Sequence, residues 1–149
     1  MKKLQTVLVA TAMLFSTSIF ASNEPEKVSA KIKAVFEKDF ANAAKVSWEK
    51  TDDYYFAYFE LDAKQTSAAY NEAGDLLGVS RVIATAALPL NASMAITQKY
   101  DGYLVAKTVT EITFEGQTSY YITIENEKQK LRIKYTASNG ISVENKTKK

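Results

Sequence analysis

The sequence predicts an α+β fold: a tandem repeat of one helix plus four antiparallel strands, forming an eight-stranded antiparallel sheet with two helices on one face. Three observations lead there. A layout recurs along the chain, the segments that open each copy carry apolar residues at helical spacing, and the segments that follow alternate like strands. In the first copy Phe40 closes a helix, Tyr54–Leu61 is an aromatic-rich strand, and Tyr70 leads into the turn Asn71-Glu72-Ala73-Gly74. In the second, Tyr100 closes a helix, Tyr120–Glu125 is the aromatic strand, and Leu131–Tyr135 leads into Thr136-Ala137-Ser138-Asn139-Gly140. Two copies of one supersecondary unit is the economical reading. The repeats cover about residues 22–86 and 87–149, and together they form a single domain, residues 22–149.

Residues 1–21 read as a signal peptide. Met1-Lys2-Lys3 precedes the apolar run Val7–Phe15, and Ser16–Ser22 leads to the polar Asn23-Glu24-Pro25-Glu26, with cleavage expected after Ala21. The run is too short to span a hydrocarbon core of about 30 Å, so no stable membrane insertion is expected after cleavage. With no Cys in the chain, the attachment point of a lipid-modified exported protein is missing as well. Cleavage removes Lys2 and Lys3 and no acid, so the 19 basic and 17 acidic residues of the whole chain become equal in number. A balanced surface excludes nucleic acid and anionic membrane as expected partners, since both reward a basic excess. Without cysteine no disulfide is available, and packing alone must hold the fold.

The first helix follows Ser22 or Asn23 as cap, with Pro25 in its first turn, where proline is tolerated. Val28, Ile32, Val35, Phe36 and Phe40 form one apolar stripe, with Lys27, Lys31, Glu37 and Lys38 elsewhere. Lys45–Lys50 alternates, Val46 and Trp48 on one side, and predicts a half-buried first strand. Thr51-Asp52-Asp53 turns the chain into Tyr54–Asp62, where Tyr55, Ala57, Phe59 and Leu61 make an apolar face toward the helix and Tyr54, Phe56, Tyr58 and Glu60 a mixed one. Ala63-Lys64 turns into Gln65–Tyr70, and Leu76–Ala84 is the fourth strand. In the second copy Leu90 precedes Asn91 as cap, Ala92, Ile96 and Tyr100 lie on one stripe, and Asp101-Gly102 supplies the stop. The strands Tyr103–Glu115, Ser119–Glu125, Lys130–Thr136 and Ile141–Asn145 follow, and Lys146–Lys149 reads as a solvated tail.

Catalytic chemistry finds little purchase in these residues. The absence of histidine removes the usual general base and serine partner, and with cysteine absent too no zinc or iron site is expected. Ser47-Trp48-Glu49-Lys50 spells the S-x-x-K of serine acylases, but that chemistry needs a helix start, and on a strand an offset of three sends the two side chains to opposite faces. Asp52-Asp53 and the Glu60–Asp62 pair fit a turn and a solvated strand end, because turns recruit Asp for backbone reasons. Asn71–Asp75 lacks the alternating ligands and distal Glu of a calcium loop. No catalytic residue, metal or cofactor is therefore assigned, and the protein is not expected to be an enzyme.

The order Phe40-Ala41-Asn42-Ala43-Ala44-Lys45-Val46-Ser47-Trp48, then Tyr55–Phe59, Tyr70–Gly74 and Leu88-Pro89, resembles the PepSY-like proteins of Bacteroidetes, a family similar in fold to β-lactamase inhibitor protein. The resemblance covers essentially the whole chain after the signal peptide. It implies a periplasmic location, and a protein that uses the open face of its sheet to hold another protein.

With the apolar strand faces turned to the helices, the other face of the sheet is expected to be open. Its outward set is Tyr54, Phe56 and Tyr58 in the first copy and Tyr121, Thr123, Arg132 and Lys134 in the second. Aromatics on the outer face of a sheet can serve cross-strand pairing, and a contiguous exposed patch of them also marks interaction sites. The candidate binding residues are accordingly Tyr54, Phe56, Tyr58, Tyr121, Arg132 and Lys134. The expectation is a periplasmic, monomeric, non-catalytic module that engages a periplasmic protein or peptide; the alternative is a small-molecule carrier or scavenger using the same face.

Overall fold

The computed structural model describes residues 28–149. Among them are two α-helices and nine strands of antiparallel sheet, an α+β fold. The expected signal peptide and the expected helix entrance at Asn23 and Pro25 lie outside the described residues. The chain divides into two compact units, the first reaching Arg81 and including Phe114–Gly116, the second holding Val82–Thr113 and Gln117–Lys149.

In the first unit, helix α1 (Ala30–Asp39) starts behind Ser29, whose hydroxyl accepts from the Ile32 amide at 3.3 Å. A side-chain oxygen at this position satisfies one of the amides that a helix start leaves without an internal partner. Strands β1 (Ala44–Lys50), β2 (Tyr54–Leu61), β3 (Lys64–Asn71) and β4 (Leu76–Ala84) follow and pair in that order. The β2–β3 register runs without a break from Tyr54↔Asn71 to Leu61↔Lys64. Asp62 and Ala63 close it in the left-handed region, φ 51° and 59°, the geometry of a two-residue turn that follows the strands' twist.

The core of this unit gathers on the helix side of the strands. Ile32 and Phe36 meet Tyr55, Ala57, Phe59, Ala68 and Tyr70, with Val35, Phe40, Trp48 and Leu61 at the margin. Phe36 is the hub: it lies 5.0 Å from Phe59 at 81°, 5.2 Å from Trp48 at 72° and 5.4 Å from Phe40. Edge-to-face pairs of this kind add about 0.5–1.5 kcal/mol each to the area they bury. The expected inward set of β2 is thus the observed one. Val46, expected to share the buried side of β1 with Trp48, is 40% exposed. The cause is local: Lys45 takes φ 54°, and the β1–β2 register shifts between Ala44 and Ser47, so alternation does not carry through this end of the strand.

In the second unit, the 3-10 turn Thr85–Ala87 leads to helix α2 (Leu90–Lys99). Its cap is Pro89, with no side-chain bond, and not the expected Asn91, which is already inside the helix. Strands β5 (Leu104–Val105), β6 (Thr108–Phe114), β7 (Gln117–Glu125), β8 (Gln129–Thr136) and β9 (Gly140–Lys148) complete it. The order is β6-β7-β8-β9, with β5 on β7 through Leu104↔Glu125 and Val105↔Ile124. Ile83, Leu88, Ala92 and Ile96 pack with Val109, Ile122, Ile124, Leu131, Ile133 and Tyr135.

Two expectations need correcting in this unit. Tyr103–Glu115 is two strands, which raises the number from eight to nine. The interruption at Ala106-Lys107 is held from elsewhere in the chain: the Thr85 hydroxyl donates to the Ala106 carbonyl, and the Thr85 amide to that of Lys107 at 3.0 Å. The residues expected to form a solvated tail belong to β9, with Lys146, Thr147 and Lys148 opposite Leu131, Lys130 and Gln129. The Lys149 amide adds a bond to the Lys128 carbonyl at 3.1 Å. Charged residues are at home on such a strand, because its side chains are exposed.

Candidate functional site

The pleat sends Tyr54, Phe56 and Tyr58 of β2 to the face away from α1, since Tyr55, Ala57 and Phe59 occupy the other. They form a column. Phe56 lies 6.4 Å from Tyr54 on one side and 6.4 Å from Tyr58 on the other, almost parallel to Tyr58 at 15°. Across the ladder, Phe56 stands opposite Glu49 on β1 and Ala69 on β3, and Tyr58 opposite Ser47 and Ser67. Gly78 and Ser80 of β4 continue the same two rows. The neighbours on β3 and β4 are therefore small, which leaves room for rings to lie across them. The Tyr58 hydroxyl donates to Glu49 at 2.9 Å, so a carboxylate from the edge strand orients that ring.

This face is not open in the sense expected. Phe56 is only 1% exposed, Ala69 is fully buried, and Ser67 and Ser80 are 5% exposed. Flanking rings on either side of Phe56 and small residues across from it make a second apolar layer. Tyr54 and Tyr58 are half-buried and carry the accessible part of the column.

In the second unit the alternation places Tyr121, Arg132 and Lys134 together on the face away from α2. Lys134 is directly opposite Tyr121, and Arg132 opposite Thr123. The Arg132 guanidinium carbon lies 5.8 Å and the Lys134 ammonium 5.5 Å from the centre of the Tyr121 ring. A ring face attracts cations through its quadrupole. Tyr121 is buried beneath them, at 6% exposure, and Arg132 and Lys134 are half-buried. Ile112, three residues from the inward Val109 and so on the opposite face of β6, is buried as well. The sequence pattern did not single out Ile112, Glu49, Ser67 or Ser80. Only strand register, which the sequence does not display, assigns them to these faces.

The motifs set aside on chemical grounds have structural roles. Ser47 is opposite Tyr58 and Lys50 opposite Tyr55, so the register separates the two ends of the S-x-x-K sequence onto opposite faces. Glu60 pairs with Lys45 at 2.8 Å. Asn71 and Asp75 are joined by three bonds, side chain to side chain and Asp75 amide to Asn71 side chain, both at 2.9 Å, and Asn71 amide to Asp75 carbonyl at 3.1 Å, around Gly74 at φ 87°. Among the described residues no three His, Cys, Asp or Glu come together as a metal site, and no helix is long and apolar enough to cross a membrane.

No protein-family model matches the chain, and no curated protein does. Solved structures do. A BLIP-like protein from Bacteroides fragilis superposes with a TM-score of 0.64 at 20% identity, over 82% of this chain and 86% of its own. The chain shares a BLIP-like fold. A DUF2874 family protein from Bacteroides uniformis gives 0.66 at 20% identity, covering 82% and 90%. A candidate periplasmic protein from Bacteroides eggerthii gives 0.67 at 18% identity, covering 82% and 89%. At these identities it is the BLIP-like fold that is shared, and the residues of the two faces described above are this chain's own.

Proposed function

We infer that this protein is an exported, periplasmic, non-catalytic binding module that engages a protein or peptide through the sheet face turned away from its helices. The observation that carries the reading is the Tyr54–Phe56–Tyr58 column. A buried phenylalanine anchors it, and two half-buried tyrosines stand on either side with one hydroxyl already oriented by Glu49. Tyrosine presents a rigid, amphipathic surface that loses little conformational freedom on binding, and for that reason it is enriched at interfaces. The likeness to a BLIP-like protein and to a candidate periplasmic protein supports the same reading. The PepSY-like resemblance of the helix ends and turns is part of this proposal, and the missing histidine and cysteine favour binding over catalysis.

The test leaves Phe56 in place, since removing it threatens the fold. Wild type and a Tyr54→Ser, Tyr58→Ala double variant are immobilised and exposed to periplasmic extract of the source bacterium, with urea melts run in parallel. A partner retained by wild type and lost by a double variant of unchanged stability supports the reading. Equal recovery of every partner by both proteins refutes it.

A further inference from the structure

Along β8, Leu131, Ile133 and Tyr135 enter the helix-side core, so Lys130, Arg132 and Lys134 all project to the other face. Strand register sets uncharged polar groups beside most of this row. Thr123 of β7 is opposite Arg132, and Thr147, Asn145 and Ser142 of β9 are opposite Lys130, Arg132 and Lys134. Three like charges in a line repel one another. Among the described residues none of the three forms an ion pair. The acids on the adjoining strands are engaged by other groups. Glu125, opposite Lys130, meets Lys149 at 3.2 Å, and Glu144 accepts from the Ser142 hydroxyl at 3.0 Å.

Arg132 adds a second, independent observation. Its Nε is buried and has no hydrogen-bond partner. A buried donor of a charged group is costly to leave unmet. Rotation of the side chain toward an anion would exchange this unmet donor for a paired one.

We propose that the Lys130–Arg132–Lys134 row recognises an acidic peptide segment in extended conformation, with carboxylates at alternate positions. The proposal rests on the reading that this face binds a protein or peptide, and it names the chemistry of that partner. Same-face side chains on a strand recur every ~6.6–6.8 Å, which is also the spacing of alternate residues in an extended peptide. Acids at positions i, i+2 and i+4 of the partner thus fall in step with the three cations. The planar fork of Arg132 suits a carboxylate, which it can take with two parallel bonds. A polynucleotide fits less well, because the chain as a whole carries 17 acidic residues against 19 basic ones and lacks the basic excess that polyphosphate binding draws on.

The mature protein is titrated against a fluorescent Asp-Ser-Asp-Ser-Asp peptide, its Asn-Ser-Asn-Ser-Asn counterpart, a single-stranded oligonucleotide and phosphatidylglycerol vesicles, at low and moderate salt. The Asp peptide is expected to bind, to weaken as salt rises, and to exceed the Asn peptide by at least tenfold. Arg132→Gln and the double variant Lys130→Gln, Lys134→Gln should each lose at least tenfold in affinity. The Asp peptide should raise the melting temperature of wild type and leave that of Arg132→Gln unchanged. Equal affinity for the Asp and Asn peptides, full affinity in Arg132→Gln, or tighter binding of oligonucleotide or vesicle each overturns the proposal. If partner capture depends on Tyr54 and Tyr58 while the Asp peptide does not bind, this inference alone falls and the broader reading stands.

Discussion

Phe56 and Phe59 lie three residues apart on one strand, and both are buried, at 1% and 4% exposure, on its opposite faces. Phe59 meets Phe36 at 5.0 Å and Phe40 at 4.8 Å on the helix side, whereas Phe56 sits between Tyr54 and Tyr58 on the other. Truncating either ring removes a buried aromatic. Phe59→Ala and Phe56→Ala are each expected to cost about 3–5 kcal/mol, measured by urea unfolding. This departs from the expectation that Phe56 lies on an open face. A loss below about 1 kcal/mol for Phe56→Ala would show that the second apolar layer does not exist in solution.

Tyr70 is fully buried in the helix-side core of the first unit, and its hydroxyl has no hydrogen-bond partner. Replacing it by phenylalanine removes an unmet polar group and keeps the ring beside Trp48, 6.2 Å away. Tyr70→Phe should therefore stabilise by about 1 kcal/mol. Burial, and secondarily the charge of Asp39, push its ionisation well above the ordinary 10.0. Above that ordinary value the unfolded chain releases the proton while the native state keeps it, so stability falls as pH rises beyond 10. Urea melts at pH 8 and pH 11 should show a smaller alkaline loss in Tyr70→Phe than in wild type; equal losses would remove Tyr70 as the cause.

Ala63 occupies the left-handed region at φ 59° and its side chain is exposed, so its methyl group strains the β2–β3 turn without packing on anything. Ala63→Gly should stabilise by about 0.5–1 kcal/mol, the strain of an L residue in that region less the extra chain entropy of glycine. The opposite exchange at Gly74, φ 87°, should destabilise, although an added Cβ would meet Lys31 and Ile32 only at ordinary contact distances of 3.6 and 3.8 Å. Chemical denaturation of the two variants would show shifts of opposite sign; shifts of the same sign would contradict the turn geometry.

The two helix entrances should respond differently to alanine. Ser29→Ala deletes the bond to the Ile32 amide and should cost about 1 kcal/mol. Asn91 lies within α2 and makes no capping bond, so Asn91→Ala should leave stability unchanged or raise it by up to about 0.5 kcal/mol. Thermal melts of both variants decide the matter, and a comparable loss in both would return the cap of α2 to Asn91.

Alternation and spacing along each element are legible in the order of residues alone. Tyr54–Leu61 is legible as a strand with Tyr55, Ala57 and Phe59 inward, Leu76–Ala84 matches β4 from end to end, and the outward grouping of Tyr121 with Arg132 and Lys134 follows from the two-residue period of the pleat. Such periods are properties of the local backbone, and they survive whatever the chain packs against. Tertiary structure alone decided what covers each side chain and where alternation stops. Phe56 is buried with Ala69 opposite it, a small residue that the β2–β3 register supplies from another strand. The bonds from Thr85 hold the break at Ala106-Lys107, and pairing with β8 turns Lys146–Lys148 from a tail into a strand. Burial and termination depend on residues far away in sequence, so they come into being only once distant strands lie side by side.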